Sequence, residues 1–296
     1  MIDVSAVLPT PLERTGLRWL AAWPVLLGLA VLYGPTVYGL ANGVWQSEDQ
    51  AHGPLILAVV LWLAWSGRDA FSLAAQPRPL AGWLWLLPGL LLYAVGRSQD
   101  ILIFEIGSAI PVLVGCLLAL LGPAAVRRLW FPLFFLIFLI PLPGFLVDAI
   151  TGPLKQHASA LAAQLLFAAG YPIARAGVLL HLGPYQLLVA DACSGMHSIY
   201  SLAAVGLFYL HLMGYKNRLR LGLLVLAIVP IAFLANTLRV VTLALITFHM
   251  GDAAAQGYLH GLAGISLYLF ALAMLLALDA LLGLLPGLRE PRRVKG

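Results

Sequence analysis

A chain of 296 residues that is 62% hydrophobic and only 10% charged, with a mean hydropathy of +0.96, lies far from the roughly 25% charged composition of soluble domains. That composition excludes a soluble enzyme and defines an integral membrane protein. The net charge of +5 and the pI near 9.4 come from basic residues spread over several connections without an aromatic-interleaved stripe, so nucleic acid is not an expected partner.

Crossing about 30 Å of hydrocarbon takes roughly 17 to 25 apolar residues. In chain order such runs occupy 19–40, 80–96, 101–121, 129–147, 193–213, 221–248 and 261–285, and a shorter run at 51–65 makes an eighth. The prediction is an all-α polytopic fold of about eight transmembrane helices. The first run is long for a signal peptide and is not followed by a small-residue cleavage site, so it reads as a retained span. No internal repeat, low-complexity linker or second soluble domain interrupts the chain, which predicts one membrane-embedded domain over 1–296.

Loop charge tests this count, because basic residues near span ends stay on the cytoplasmic side. Arg14 and Arg18, Arg68 and Arg78, Arg127 and Arg128, the Lys216, Arg218, Arg220 group, and Arg289, Arg292, Arg293 and Lys295 fall on alternate connections. The opposite connections carry Glu48, Asp49, Asp100, Asp148, Asp191 and Asp252, with Arg97, Lys155 and Arg175 as their cations. Both termini are therefore expected inside, residues 1–18 as a cytoplasmic segment and 286–296 as a basic cytoplasmic tail.

The long exterior stretch runs from about 148 to 192. Residues 157–169 predict an interfacial or re-entrant helix that Gly170 and Pro172 end. Next, 178–182 and 185–189 flank Gly183-Pro184, which predicts a short external β-hairpin leading straight to Cys193.

Cys193 opens the sixth predicted span, where the free N–H groups of a first helical turn and the helix dipole favour a thiolate. Its neighbours Asp191, Ser194 and Gly195 suit a helix start and a close backbone approach. A buried, inert thiol is the ordinary alternative for a membrane cysteine, and Cys116, in the middle of a span, is read that way. Their different depths argue against a disulfide.

Arg239 interrupts an apolar span, where arginine is costly and either faces a partner or wet cavity or snorkels outward. It follows Leu221 by about 27 Å of helix, nearly the hydrocarbon thickness, and so belongs near the outer surface beside Cys193. Asn236, one turn earlier on the same face, is suited to orient the guanidinium or a substrate carbonyl. His260, at the outer start of the last span, and His197, one turn after Cys193, are both candidate proton carriers, and spacing does not choose between them. There is no His-Glu-x-x-His, Gly-x-Ser-x-Gly or P-loop, and the histidines lack metal-ligand spacing, so neither a metal nor another cofactor is expected.

At Ala192-Cys193-Ser194-Gly195, Asn236-x-x-Arg239-Val240 and His260-Gly261 the chain resembles the exosortase and archaeosortase family of membrane cysteine transpeptidases, in detail most like the B-type bacterial exosortases. The likeness extends to Trp45-Gln46-Ser47 with His52-Gly53-Pro54 and to Pro141-Leu142-Pro143. It implies an inner-membrane enzyme, its active site facing the periplasm, that processes exported proteins bearing a Pro-Glu-Pro-like motif, a transmembrane helix and a basic tail. Cys193 would form an acyl-enzyme, with Arg239 and His260 at the other two catalytic positions, and the activity is linked to cell-surface or exopolysaccharide export. Lys155 and Arg175 stand out as partners for the motif's glutamate, with the hairpin lining the groove and pairing with the peptide by edge-strand addition; lipid phosphates are the competing partner. The rival classes are a polytopic transporter or assembly scaffold for polysaccharide, which requires a continuous polar pathway, and a membrane acyl- or glycosyl-transferase.

Overall fold

The structure is a computed structural model that describes residues 11–47, 50–71, 76–141, 144–188, 196–251 and 258–288. The chain packs as two compact units, Met1–Pro141 and Leu142–Gly296. Five helices are long and apolar enough to cross a membrane, within Trp23–Gln46, Pro79–Ser98, Leu102–Leu120, Arg218–Met250 and Ser266–Leu284. Shorter apolar helices at Gly53–Ser66, Trp130–Leu139 and Tyr200–Met213 lie in the other three predicted runs. Leu80, Leu84, Leu226 and Leu284 are each more than 70% exposed, as lipid-facing residues of a multi-pass membrane protein are.

The first unit contains α1 (Pro11–Asn42), α2 (Gly53–Ser66), α3 (Pro79–Ser98), α4 (Leu102–Gly107), α5 (Ala109–Leu120), α6 (Pro123–Arg128) and α7 (Trp130–Phe135). Its tightest packing is α3 against α4 and α5, and glycine is what permits it. Gly82, Gly89 and Gly96 recur every seven residues on the buried face of α3. Cβ atoms there would strike Ala119, Val112 and the backbone of Glu105 respectively, so small residues let the helices approach without a hydrophobic driving force in lipid. The close approach buries Glu105, whose carboxylate accepts from Thr36 Oγ1 at 2.6 Å and from Arg97 Nη1 at 3.2 Å. Ser108 and Tyr33 extend this polar cluster.

The second unit begins with α8 (Gly144–Ala168), which starts well before the expected 157–169 helix and runs through Pro153. It ends where expected: Gly170 takes a φ of +86°, and Tyr171 N–H reaches back to the Leu166 carbonyl. A three-stranded antiparallel sheet follows, β1 (Ile173–Ala176), β2 (Leu179–Leu182) and β3 (Tyr185–Leu188), ordered β1-β2-β3. The hairpin across Gly183-Pro184 is the predicted one. Strand β1 was not expected, because Ile173-Ala-Arg-Ala has little β character of its own and is held by pairing with β2.

Three helices complete the unit: α9 (Met196–Met213), α10 (Arg218–Met250) and α11 (Tyr258–Leu284). Asn217 caps α10 by accepting from the N–H groups of Leu219 and Arg220. Buried Leu224, Ile228, Ile231, Ala232 and Ala235 of α10 form one core with Leu202 and Leu210 of α9 and Leu267, Ala271 and Leu275 of α11. Beyond Arg239 the partners of α10 change. Val240, Leu243 and Ala244 pack against Ala162 and Leu166 of α8 and against Leu180 and Leu182 of the sheet.

Candidate active site

Every candidate site residue belongs to the second unit. Asn236 and Arg239 are buried, at 5% and 8% exposure, on the stretch of α10 where its neighbours change from α9 and α11 to α8 and the sheet. An ionisable side chain buried inside an apolar span is costly and is kept there for a purpose. Arg239 is thus packed against protein and not left facing lipid.

Cys193 lies outside the described residues, which stop at Leu188 and resume at Met196. The flanks of its segment are both seated on α10. On the β3 side, Leu187 packs with Val240 and Leu243, just beyond Arg239. On the α9 side, Leu202 belongs to the core that contains Ile231 and Ala235, just before Asn236. His197 falls in the first turn of α9 and His260 in the first turn of α11. Their side chains lie outside the described residues.

The register between α10 and α11 sets the level of His260. Arg220 near the start of α10 is ion-paired with Asp279 near the end of α11, so the two helices run antiparallel. Arg239 follows Arg220 by nineteen residues, and Asp279 follows His260 by the same nineteen. At about 1.5 Å per residue both stand about 28 Å from the ion pair along their helices. The backbone of His260 is therefore level with that of Arg239.

Arg175 and the turn of α8 that follows Lys155 meet at one end of the sheet. Arg175 Nη1 donates to the Gly177 carbonyl at 2.9 Å, and Ser159 Oγ, one turn of α8 beyond Lys155, donates to the same oxygen at 3.1 Å. In the ladder Ala176 pairs with Leu179 and Leu179 with Leu188, so the Gly177 turn and the end of β3 share one edge of the sheet. Arg175 thus reaches the end from which the chain leaves for Cys193, where the Gly177 turn stands about 10 Å from Leu188 at two strand spacings.

Two buried acids, Glu105 and Asp279, lie within spans and were not singled out by the sequence reading. The signal was present, since a carboxylate inside an apolar run is as conspicuous as Arg239. Arg220, read as a loop cation, is instead buried in its pair with Asp279. Among the described residues no three His, Cys, Asp or Glu side chains group as a metal site, and Cys116 is a half-buried free thiol.

Several apolar helices, one of them carrying the buried Asn236 and Arg239 and packed against a small sheet, define a multi-pass membrane protein. The chain belongs to the transmembrane exosortase family, whose sequence model matches residues 44–277. Searches of curated proteins and of solved structures each returned no match.

Proposed function

We propose that this protein is a membrane cysteine transpeptidase that cleaves C-terminal tripartite sorting signals of exported proteins. The buried Arg239 carries the reading, together with the flanks of the Cys193 segment on either side of it and membership of the exosortase family. The Cys193 thiolate attacks the scissile carbonyl, and Arg239, which hardly deprotonates, stabilises the developing oxyanion. As the C–N bond breaks, His260 gives a proton to the departing amine, leaving a thioester on Cys193. A water or an acceptor nucleophile then attacks the thioester and loses its proton to His260, and the C–S bond breaks to release the Cys193 thiolate. Asn236, on the face of Arg239, orients the guanidinium or the carbonyl.

The substrate is an exported protein whose Pro-Glu-Pro-like motif stays extended above its own transmembrane helix, with a basic tail on the far side. Arg175 at the Gly177 turn, with Lys155 on α8 one turn before Ser159, meets the motif's glutamate. The Gly183-Pro184 turn closes with Leu182 and Tyr185 as a hydrogen-bonded pair, so Gln186 and Leu188 turn their backbone groups away from β2. That outer edge of β3 takes the extended motif as an added strand. In this reading the chain is a single domain of B-type exosortase character in the bacterial inner membrane. It has eight spans, both termini cytoplasmic and the site facing the periplasm.

The test is a tripartite-signal reporter expressed with Cys193→Ala. Processing should stop while the protein remains in the membrane, and the reporter peptide should be trapped as a thioester on the active chain. Normal processing by Cys193→Ala would remove the nucleophile and return the transporter or scaffold reading.

A further inference from the structure

We infer that Arg220 and Asp279 are positioning residues that act from the far end of the bundle, fixing the register of α10 against α11 and so setting His260 level with Arg239. The inference rests on reading those two as partners in catalysis.

The apolar part of the seam between the helices specifies its register only weakly. On α10 it presents Arg220, Leu224, Ile228 and Ala232, and on α11 Asp279, Leu275, Ala271 and Leu267, each series in four-residue steps. Sliding one helix past the other by one turn, about 5.4 Å, would still set apolar residues against apolar residues. A slip would cost some packing, since Ala232 would then face Ala271 and Ile228 would face Leu275, but the polar pair separates the two arrangements most sharply, and fixing register is the best-attested use of a buried polar contact.

The pair is built for that role. Arg220 Nε and Nη2 both donate to Asp279 Oδ1, at 2.9 and 2.6 Å, and Nη2 also donates to the Asp279 carbonyl at 2.8 Å. Tyr209 and Tyr215 donate to Oδ2 at 2.7 and 2.5 Å, so both carboxylate oxygens are engaged. Burial and donation to Asp279 push the Tyr215 phenol well above its ordinary range, which keeps it a donor. The guanidinium lies 4.9 Å from the Tyr215 ring centroid. Gly283, one turn past Asp279, leaves room for the guanidinium, since a Cβ there would come within 3.1 Å of Nη2. A slip of one turn would strand a carboxylate and a guanidinium, each 9% exposed, among apolar side chains.

The two sites share one geometry. Nineteen residues are five helical turns and about a quarter, so Arg239 and His260 fall within the arcs of α10 and α11 that carry this seam. A register error at Asp279 therefore arrives undiminished at His260, and a displacement of even 1 Å in a catalytic group costs on the order of 10²-fold in rate.

The experiment uses the full chain in its membrane, in a Cys116→Ser, Cys193→Ala background, with a short thiol-to-thiol crosslinker. The pairs Ala232→Cys with Leu267→Cys and Arg239→Cys with His260→Cys report the native register, and Ala232→Cys with Ala271→Cys reports a slip of one turn. With Arg220 and Asp279 intact the native pairs should crosslink. Asp279→Ala should weaken both and strengthen the slipped pair. In the active background the same change should lower kcat about 10²-fold and leave KM nearly unchanged. If Asp279→Ala does not accumulate, Arg220→Lys, which keeps the charge but loses the fork, is read in the same way. A crosslink pattern unmoved by these substitutions, or no crosslink between positions 239 and 260 in the intact register, overturns the inference. Shifted crosslinks in a chain that never cleaves a sorting signal would uphold the register and sink the transpeptidase reading instead.

Discussion

Thr36 Oγ1 donates to Glu105 Oε1 at 2.6 Å, joining α1 to α4 through two side chains that are 4% and 3% exposed. Arg97 donates to the same oxygen but is itself about half exposed. Removing the hydroxyl with Thr36→Val should cost about 1.5–3 kcal/mol, the range for a hydrogen bond to a charged group. Thermal unfolding in detergent measures it, and a loss below about 0.5 kcal/mol would show that Thr36 does not support Glu105.

The two buried acids should differ in what their loss strands. Asp279→Ala leaves Arg220 buried without its carboxylate, which should cost about 3–5 kcal/mol, whereas Glu105→Ala leaves Arg97 free to take up water and should cost less. Chemical denaturation of the two variants side by side gives the order, and a larger loss at Glu105 would contradict it.

Glycines on the spans should separate into two kinds. A Cβ at Gly96 would enter the backbone of Glu105, which cannot rotate away, so Gly96→Ala should destabilise by at least about 1–3 kcal/mol. Gly28 has nothing within 4 Å of where its Cβ would stand, so Gly28→Ala should be neutral or gain about 0.5–1 kcal/mol. Equal effects at the two positions would mean that close approach of α3 to α4 is not what Gly96 supplies.

The histidines can be told apart by rate. If His260 carries the proton, His260→Ala should lose about 10²- to 10⁴-fold in processing and His197→Ala far less. The reverse order would move the role to the first turn of α9.

The Gly177 end of the sheet predicts a charge-swap phenotype. Arg175→Glu or Lys155→Glu should weaken cleavage of a substrate with the native glutamate and restore cleavage of one carrying lysine there. If neither change moves cleavage of either substrate, these cations serve lipid phosphates and do not read the motif.

The membrane class, the positions of five spans and the hairpin at Gly183-Pro184 were all legible in the amino-acid sequence. Each is governed by a local rule: hydrocarbon thickness sets run length, and the turn needs a residue that accepts a φ of +58°. Arg239 was legible for the same reason, as one charge in an apolar run. Three things required the tertiary structure. Strand β1 has no alternation of its own and exists by pairing with β2. Ser159 and Arg175, sixteen residues apart, meet because α8 and β1 pack at the Gly177 carbonyl. Arg220 appeared among loop cations until its contact with Asp279, fifty-nine residues away, set the register of the helix pair. Hydropathy is a property of each segment alone, whereas register is a property of two segments at once, and an apolar seam encodes it most sharply through the polar residues that cannot be buried any other way.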